Sequence, residues 1–242
     1  MLDFAGFQLL TFDCYGTLID WEQGILGALR PLLAAKGKLL RDEEILETYA
    51  QLEAQAERGE YRPYREILQS VVLGLGLRWG FKVSPAEAES LPNSLAEWPP
   101  FPDTVGALRR LKSRYQLAIL SNTDDDLFAL TAKRLEVPFD HVITAQQARS
   151  YKPSPNNFQT MLARVNLPRE KILHVAQSLF HDVAPARSLG LTTVWVNRRA
   201  LKPGPGATPP ADARPDFEVP DLGSLAEAVE RHFLSLPSAG KH

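Results

Sequence analysis

Short apolar runs separated by stretches of helical periodicity set the architecture of this chain. Phe7-Gln-Leu-Leu-Thr-Phe12 is too short for a helix and ends at Asp13, just before the turn-prone pair Tyr15-Gly16. It reads as a buried strand opening into a loop. Residues 117–120, 141–144, 172–175 and 192–196 read the same way. Between them the apolar positions take helical spacing, as in Thr104-Val105-Leu108-Leu111 and Val183-Ala186-Leu189. Strands alternating with helices predict an α/β fold whose parallel sheet is covered on both faces. Such sheets meet their ligands at the carboxyl ends of the strands. That rule directs attention to Asp13, Ser121, Thr144 and the residues after Val175.

Residues 20–98 follow a different rhythm. Asp42 is placed to cap a helix carrying Ile45, Tyr49, Leu52 and Ala56 on one face, and residues 64–77 predict a second helix. The interval is entered through residues 18–22 and left through the proline-stiffened Trp98-Pro-Pro-Phe-Pro102. The expectation is a catalytic core made of residues 1–19 and 99–242, with residues 20–98 forming a helical cap that closes over Asp13. Residues 202–216, crowded with proline, glycine and alanine, predict a long surface loop. Order returns at Asp216-Phe-Glu-Val and in a final helix over residues 223–233.

Composition narrows the class of partner. The chain has 242 residues, 44% of them hydrophobic and 23% charged, which is ample for a packed core. With 27 basic against 29 acidic residues the net charge is -2, so no electrostatic footprint for nucleic acid or an anionic membrane is expected. A small-molecule partner is. The single cysteine, Cys14, excludes an internal disulfide. The first residues lack a basic segment followed by an apolar run, and no stretch of about 18 apolar residues follows, so the chain reads as cytoplasmic.

Four short motifs fall on the same predicted sheet edge. Asp13-Cys-Tyr-Gly-Thr-Leu18 carries a carboxylate out of a strand, with the Thr17 hydroxyl four residues on. Leu120-Ser121-Asn122 adds a hydroxyl and an amide able to hold a carboxylate. Tyr151-Lys152-Pro153-Ser154-Pro155 fixes a lysine beside a stiffened loop, and His174-Val-Ala-Gln-Ser-Leu-Phe-His-Asp182 follows the fourth strand. Each has an ordinary explanation as a turn, a cap or a solvated charge. Their order along one edge argues for a site.

Together these motifs resemble those of the haloacid dehalogenase superfamily, and within it the L-2-haloacid dehalogenases. The resemblance implies a Rossmann-like core with a cap inserted after the first strand. It implies that Asp13 is a nucleophile surrounded by Thr17, Ser121, Asn122, Lys152 and Asp182. It further implies a hydrolase that forms an aspartyl ester on a small 2-substituted carboxylic acid and then hydrolyses it. The superfamily's phosphatases place further carboxylates where this chain has Tyr15 and Gln177. Their absence argues against a magnesium-dependent phosphatase and for an enzyme needing no metal or other cofactor. Lys152 then supplies the positive charge: at about 4 Å a Lys–Asp pair attracts by roughly 4 kcal/mol at a surface-like dielectric, which would keep Asp13 ionised. Asp182, or His181 in the same loop, is expected to orient or activate water, with Thr17, Ser121 and Asn122 holding the substrate carboxylate or stabilising developing charge. The alternatives are a phosphatase with a degenerate site and a non-catalytic family member.

Several positions depart from the dehalogenase pattern. The family's cap arginine would fall near Tyr49 or Ala50, leaving Arg58, Arg62 or Arg65 as possible substitutes, and Phe158 stands where the family has a tyrosine. The fourth motif, which includes Gln177 and Ser178, is one residue longer than in typical haloacid enzymes. In that length, and in Trp21 at the cap entrance, the chain is similar to a subgroup that includes azetidine-2-carboxylate hydrolases. A ring nitrogen is therefore an alternative to halide as the leaving group.

Overall fold

The computed structural model describes residues 2–237. In chain order the elements are β1 (Leu9–Phe12), α1 (Trp21–Ala35), α2 (Asp42–Ala56), α3 (Tyr64–Trp79), α4 (Pro85–Ala88), α5 (Ser90–Ser94), α6 (Thr104–Lys112), β2 (Gln116–Ser121) and α7 (Asp125–Leu135). They continue with β3 (His141–Thr144), α8 (Ala145–Ala148), α9 (Pro155–Val165), β4 (Ile172–Ala176), a π-helical turn (Leu179–Val183), α10 (Ala184–Ser188), β5 (Thr192–Val196), β6 (Phe217–Val219) and α11 (Leu222–Ser235).

The strands form one parallel sheet in the order β3-β2-β1-β4-β5-β6. β1 lies at its centre, and the order reverses beside it, which opens a crevice at its carboxyl end. Strands buried on both faces read as continuous apolar runs, and β2 shows how the two faces divide. Leu117 and Ile119 join a cluster with Leu10, Phe12, Leu108 and Leu222, whereas Ala118 and Leu120 join Leu9, Ile143, Phe158 and Met161. Each such buried side chain contributes about 1.5–3 kcal/mol of transfer free energy. The predicted runs correspond to five of these strands within a residue or two.

Residues 21–97 contribute helices and no strand. Entry to this segment and exit from it pair side by side: Ile19 bridges Pro100, Asp20 N–H donates to Pro99 O at 2.8 Å, and Phe101 N–H donates to Leu18 O at 3.1 Å. The helices share the larger core cluster through Trp21, Tyr49, Tyr64 and Trp98. α1 was absent from the expectation because Gly24, Gly27 and Pro31 all lower helix propensity within it. The cap of α2 is Arg41 rather than Asp42, and Asp42, Glu43 and Glu44 occupy the first turn, where the helix dipole favours anions.

One expectation is corrected. Residues 202–216 are irregular, yet Ala207 and Thr208 are buried, so this is not a surface loop throughout. Arg199 Nη1 bonds both oxygens of Glu22 on α1 at 2.5 Å, and the backbone N–H of Ala207 also donates to Glu22. Gly206, at φ +71°, lets the chain pass so close that a Cβ there would lie 2.1 Å from Glu22 Oε1. The buried anion pulls the loop inward, an attachment that polar composition does not announce.

Candidate active site

β1 ends by delivering Asp13 into the tight turn at Gly16, whose φ of +90° disfavours a side chain and where a Cβ would lie 2.8 Å from Trp21 Nε1. Thr17 Oγ1 donates to Asp13 Oδ2 at 2.7 Å and accepts from Gln177 N–H at 2.9 Å, tying the β1 and β4 loops together behind the carboxylate. Lys152, fully buried on the loop after α8, reaches the same point. Its Nζ donates to Asp13 Oδ1 at 2.9 Å, to Asp182 Oδ1 at 2.6 Å and to Leu120 O at 2.8 Å. All three ammonium hydrogens are thereby committed.

Asp182 sits in the π-helical turn. Its Oδ1 also contacts His174 Nε2 at 3.0 Å, and His174 Nδ1 lies 2.8 Å from Thr11 Oγ1. With Nε2–H donating to Asp182, the threonine hydroxyl donates to Nδ1. Asp182 Oδ2 is buried without a hydrogen-bond partner among the described residues, as are Ser121 Oγ and His181 Nε2. Ser178 Oγ accepts from His181 N–H at 2.8 Å and lies 3.3 Å from His181 Nδ1. Its own hydrogen is free to point at Nδ1, which leaves Nε2–H as the donor.

Burial is the largest influence on Asp13 and raises its pKa; Asp182 adds to that, while Lys152 and Thr17 oppose it. The ammonium therefore does less than was expected from the pair alone. Asp182 moves the other way, because Lys152 and His174 outweigh its own burial, and Lys152 is raised by its two carboxylates despite burial. Burial lowers His181 to about 4, so it is neutral at pH 7. The Cys14 thiol is pushed up by burial and by Asp13.

These groups enclose a cavity of about 30 Å³, enough for one or two water molecules. Asp13, Tyr15, Trp21, Ser121, Asn122, Lys152, Ser178, His181 and Asp182 line it. Thr17 and Gln177 do not; Thr17 lies behind Asp13, and Gln177 Oε1 accepts from Thr208 at 3.3 Å. Asn122 is engaged with the backbone of Lys152, at 2.7 and 3.0 Å, and with Glu57 at 3.2 Å. The Tyr15 hydroxyl turns away to Thr131 at 2.9 Å. Thr144 lies outside, capping α8, and Phe158 packs behind the site on His174. None of Arg58, Arg62 and Arg65 lines the cavity; Arg62 bonds Ser70 and Ala56 O, and Arg65 pairs with Asp126. A larger surface cleft of about 800 Å³, beside α1 and Arg199, contains none of the groups clustered around Asp13.

The remaining lining residues are ones that sequence reasoning missed: Glu53, Glu57, Tyr64 and Thr208. Glu53 on α2 and Glu57, the residue that caps its C-terminus, stand one turn apart and line the cavity. Glu53 Oε1 accepts from Tyr49 OH at 2.7 Å and Tyr64 OH at 2.5 Å, and burial raises its carboxyl to about 7. Burial, reinforced by Glu53, raises Glu57 well above the usual range. Tyr64 is held by Asp124 of the loop after β2, whose carboxylate accepts from Tyr64 N–H at 2.9 Å and Arg65 N–H at 3.0 Å at the start of α3. The available signal was the i, i+4 pair of acids beside buried tyrosines.

Comparison with known proteins gives a consistent family. The model of the haloacid dehalogenase-like hydrolases matches residues 7–190. The chain is 28% identical over 228 residues to haloacetate dehalogenase H-2 of Moraxella sp. (strain B), covering 92% of this chain and 97% of that protein. It is 26% identical over 226 residues to (S)-2-haloacid dehalogenase H-109 of Pseudomonas putida, covering 90% and 96%. In fold it resembles the L-2-haloacid dehalogenase from Xanthobacter autotrophicus with chloropropionic acid covalently bound, at TM-score 0.76 and 23% identity over 93% of this chain and 98% of that one. A HAD-hydrolase of Bacillus subtilis bound to magnesium is similar in fold too, at TM-score 0.77 and 19% identity over 93% and 99%.

Proposed function

This chain belongs to the haloacid dehalogenase-like hydrolase family, and we propose that it hydrolyses small 2-substituted carboxylic acids through an ester formed on Asp13. The observation that carries this reading is Lys152 Nζ lying between Asp13 Oδ1 and Asp182 Oδ1, at 2.9 and 2.6 Å. The space between Asp13 Oδ1 and Asp182 Oδ1 is taken by that ammonium. No cluster of three or more candidate metal-binding side chains occurs among the described residues. The donor set thus fits an internal ammonium, not magnesium, and no step is routed through a metal. Tyr15, with its hydroxyl turned to Thr131, offers no acid for a leaving alcohol. Turnover should be unchanged by exhaustive chelation; activity lost in chelator and restored by magnesium would favour a phosphatase.

In the first step Asp13 Oδ attacks the carbon bearing the leaving group, forming a C–O bond as the bond to the halide or ring nitrogen breaks. Ser121 Oγ–H and His181 Nε2–H are free donors for the substrate carboxylate. In the second step water attacks the ester carbonyl of Asp13. Asp182 Oδ2, with no competing partner among the described residues, accepts the proton of that water, while Lys152 and His174 hold Oδ1. Residues 20–98 act as the cap over a core of residues 1–19 and 99–242. The resemblance of the chain to haloacid and haloacetate dehalogenases supports the ester route. Trp21 stands in the cavity wall, and a ring nitrogen is the alternative leaving group.

The test follows the oxygen atoms. Ester hydrolysis at the carboxyl carbon gives the product an oxygen from Asp13 and leaves solvent oxygen in the enzyme. With enzyme in excess in heavy-oxygen water, the first turnover should release unlabelled product; repeated turnover should label both product and the peptide containing Asp13. Label in product at the first turnover, with an unlabelled peptide, would show direct attack by water.

A further inference from the structure

We propose that Thr208 is the gate of the cavity and sets the length of the alkyl chain that a substrate carries on its reacting carbon. This rests on the ester reading and narrows its substrate class to short-chain acids. A cavity of about 30 Å³ holds one or two water molecules, and even the smallest 2-substituted carboxylic acid has more non-hydrogen atoms than that. Part of the wall therefore moves on binding. Much of it is tied: Lys152 by its three acceptors, Asn122 by the backbone of Lys152, and Glu53 by the hydroxyls of Tyr49 and Tyr64. Thr208 is held less firmly. It alone among the lining residues comes from the irregular segment 202–216, and its hydroxyl donates one hydrogen bond, 3.3 Å long, to Gln177 Oε1.

Space lies on the other side of it. Thr208 also lines a groove of about 570 Å³, to which α2 contributes Ala50 and Ala54 among polar side chains and the irregular segment contributes Pro205, Pro209 and Pro210. Buried itself, Thr208 partitions the cavity from the groove.

How far Thr208 withdraws is set by the backbone that leads to it. Arg199 donates to Pro203 O and, at 3.2 Å, to Gly204 O, while Ala207 N–H donates to the buried Glu22 at 3.3 Å. Glu22 in turn pairs with Arg199, so one ion pair between α1 and the residues after β5 holds the whole approach to Thr208. The clasp lets the gate yield to a methyl group on the reacting carbon and stops it short of the room that a longer chain needs. With the threonine side chain in place the groove is closed to substrate; without it the groove continues the cavity.

The probes are L-2-chloropropionate and L-2-chlorohexanoate, read by release of chloride, and each enzyme is characterised by the ratio of their kcat/KM values, which does not depend on the folded fraction. The wild type should favour chloropropionate by about 10²-fold or more, the scale on which an apolar pocket discriminates between chains differing in methylene groups. Thr208→Ala should narrow that preference by about 10-fold or more, whereas Thr208→Val, which keeps the shape and loses only the bond to Gln177, should retain it. Glu22→Gln, which loosens the clasp away from the reacting groups, should narrow it too, with turnover of chloropropionate within about threefold of wild type. No wild-type preference for the shorter acid, an unchanged ratio in Thr208→Ala or Glu22→Gln, or equal ratios in Thr208→Val and Thr208→Ala would overturn the inference. A second readout needs no chemistry. Propionate and hexanoate are the same acids without chlorine and form no ester, and calorimetry should show wild type favouring propionate and Thr208→Ala narrowing that preference. Narrowing in binding with no chloride released from either probe sinks the ester reading and leaves the gate standing; no narrowing in binding sinks the gate.

Discussion

Replacing Asp13 by asparagine should reduce turnover by at least about 10⁴-fold, about 5 kcal/mol in activation free energy, because the amide is a poor nucleophile and no other lining residue stands in its place. The fold should not suffer. The amide oxygen can still accept from Lys152, and its nitrogen can face Thr17 Oγ1, which is free to accept once it no longer donates to a carboxylate. Stability at pH 7 should be equal to or higher than that of the wild type. The Asp13 pKa is raised, chiefly by burial and also by Asp182, so its charged form weighs against the folded state above the unfolded-state value of about 3.9. The same shift predicts that wild-type activity falls away with acid through a value above the ordinary aspartate range. Thermal unfolding and turnover measured on one preparation check both claims, with mass spectrometry excluding deamidation back to aspartate. Residual activity above a few per cent would remove Asp13 from the role of nucleophile.

How legible the site was from sequence depended on which constraint fixes each residue. Asp13, Ser121, Lys152 and Asp182 follow or end strands whose apolar runs could be read directly, and parallel topology brings those ends together. Glu53 and Glu57 carried no such mark, because acids on a helix outside the sheet are ordinarily solvated. Glu53 is buried beside Tyr49 one turn away on the same helix and Tyr64 on α3, while Glu57 is partly buried against Asn122 of the loop after β2, far away in sequence. Thr208 was hidden for the opposite reason. Its proline- and glycine-rich setting has the composition of an exposed loop, and only the clasp of Glu22 by Arg199 carries it inward. The charge of Lys152 was anticipated, but its commitment to Leu120 O was not, since a backbone carbonyl leaves no trace in a side-chain pattern.

Replacing Lys152 by methionine, which keeps the length of the stem and removes the ammonium, should destabilise the protein by about 3–5 kcal/mol at pH 8 and abolish turnover. Asp13 and Asp182 are buried, and Lys152 is the group that neutralises them both. Without it each carboxylate is left close to the other in an environment that disfavours charge, while Leu120 O loses its donor as well. The loss should depend on pH in a definite direction. In the wild type the depressed pKa of Asp182 contributes stability that is present above the unfolded-state value of about 3.9 and lost as the pH falls through the folded value. In the variant the direction reverses: both carboxyls have raised folded values, so protonation relieves the buried charge, and stability declines as the pH rises above about 4. The gap between variant and wild type should therefore be widest at pH 8 and narrower at pH 5. Urea unfolding at the two pH values measures it. A variant within about 0.5 kcal/mol of wild type at pH 8, or a gap that widens toward pH 5, would show that Lys152 does not neutralise these two carboxylates.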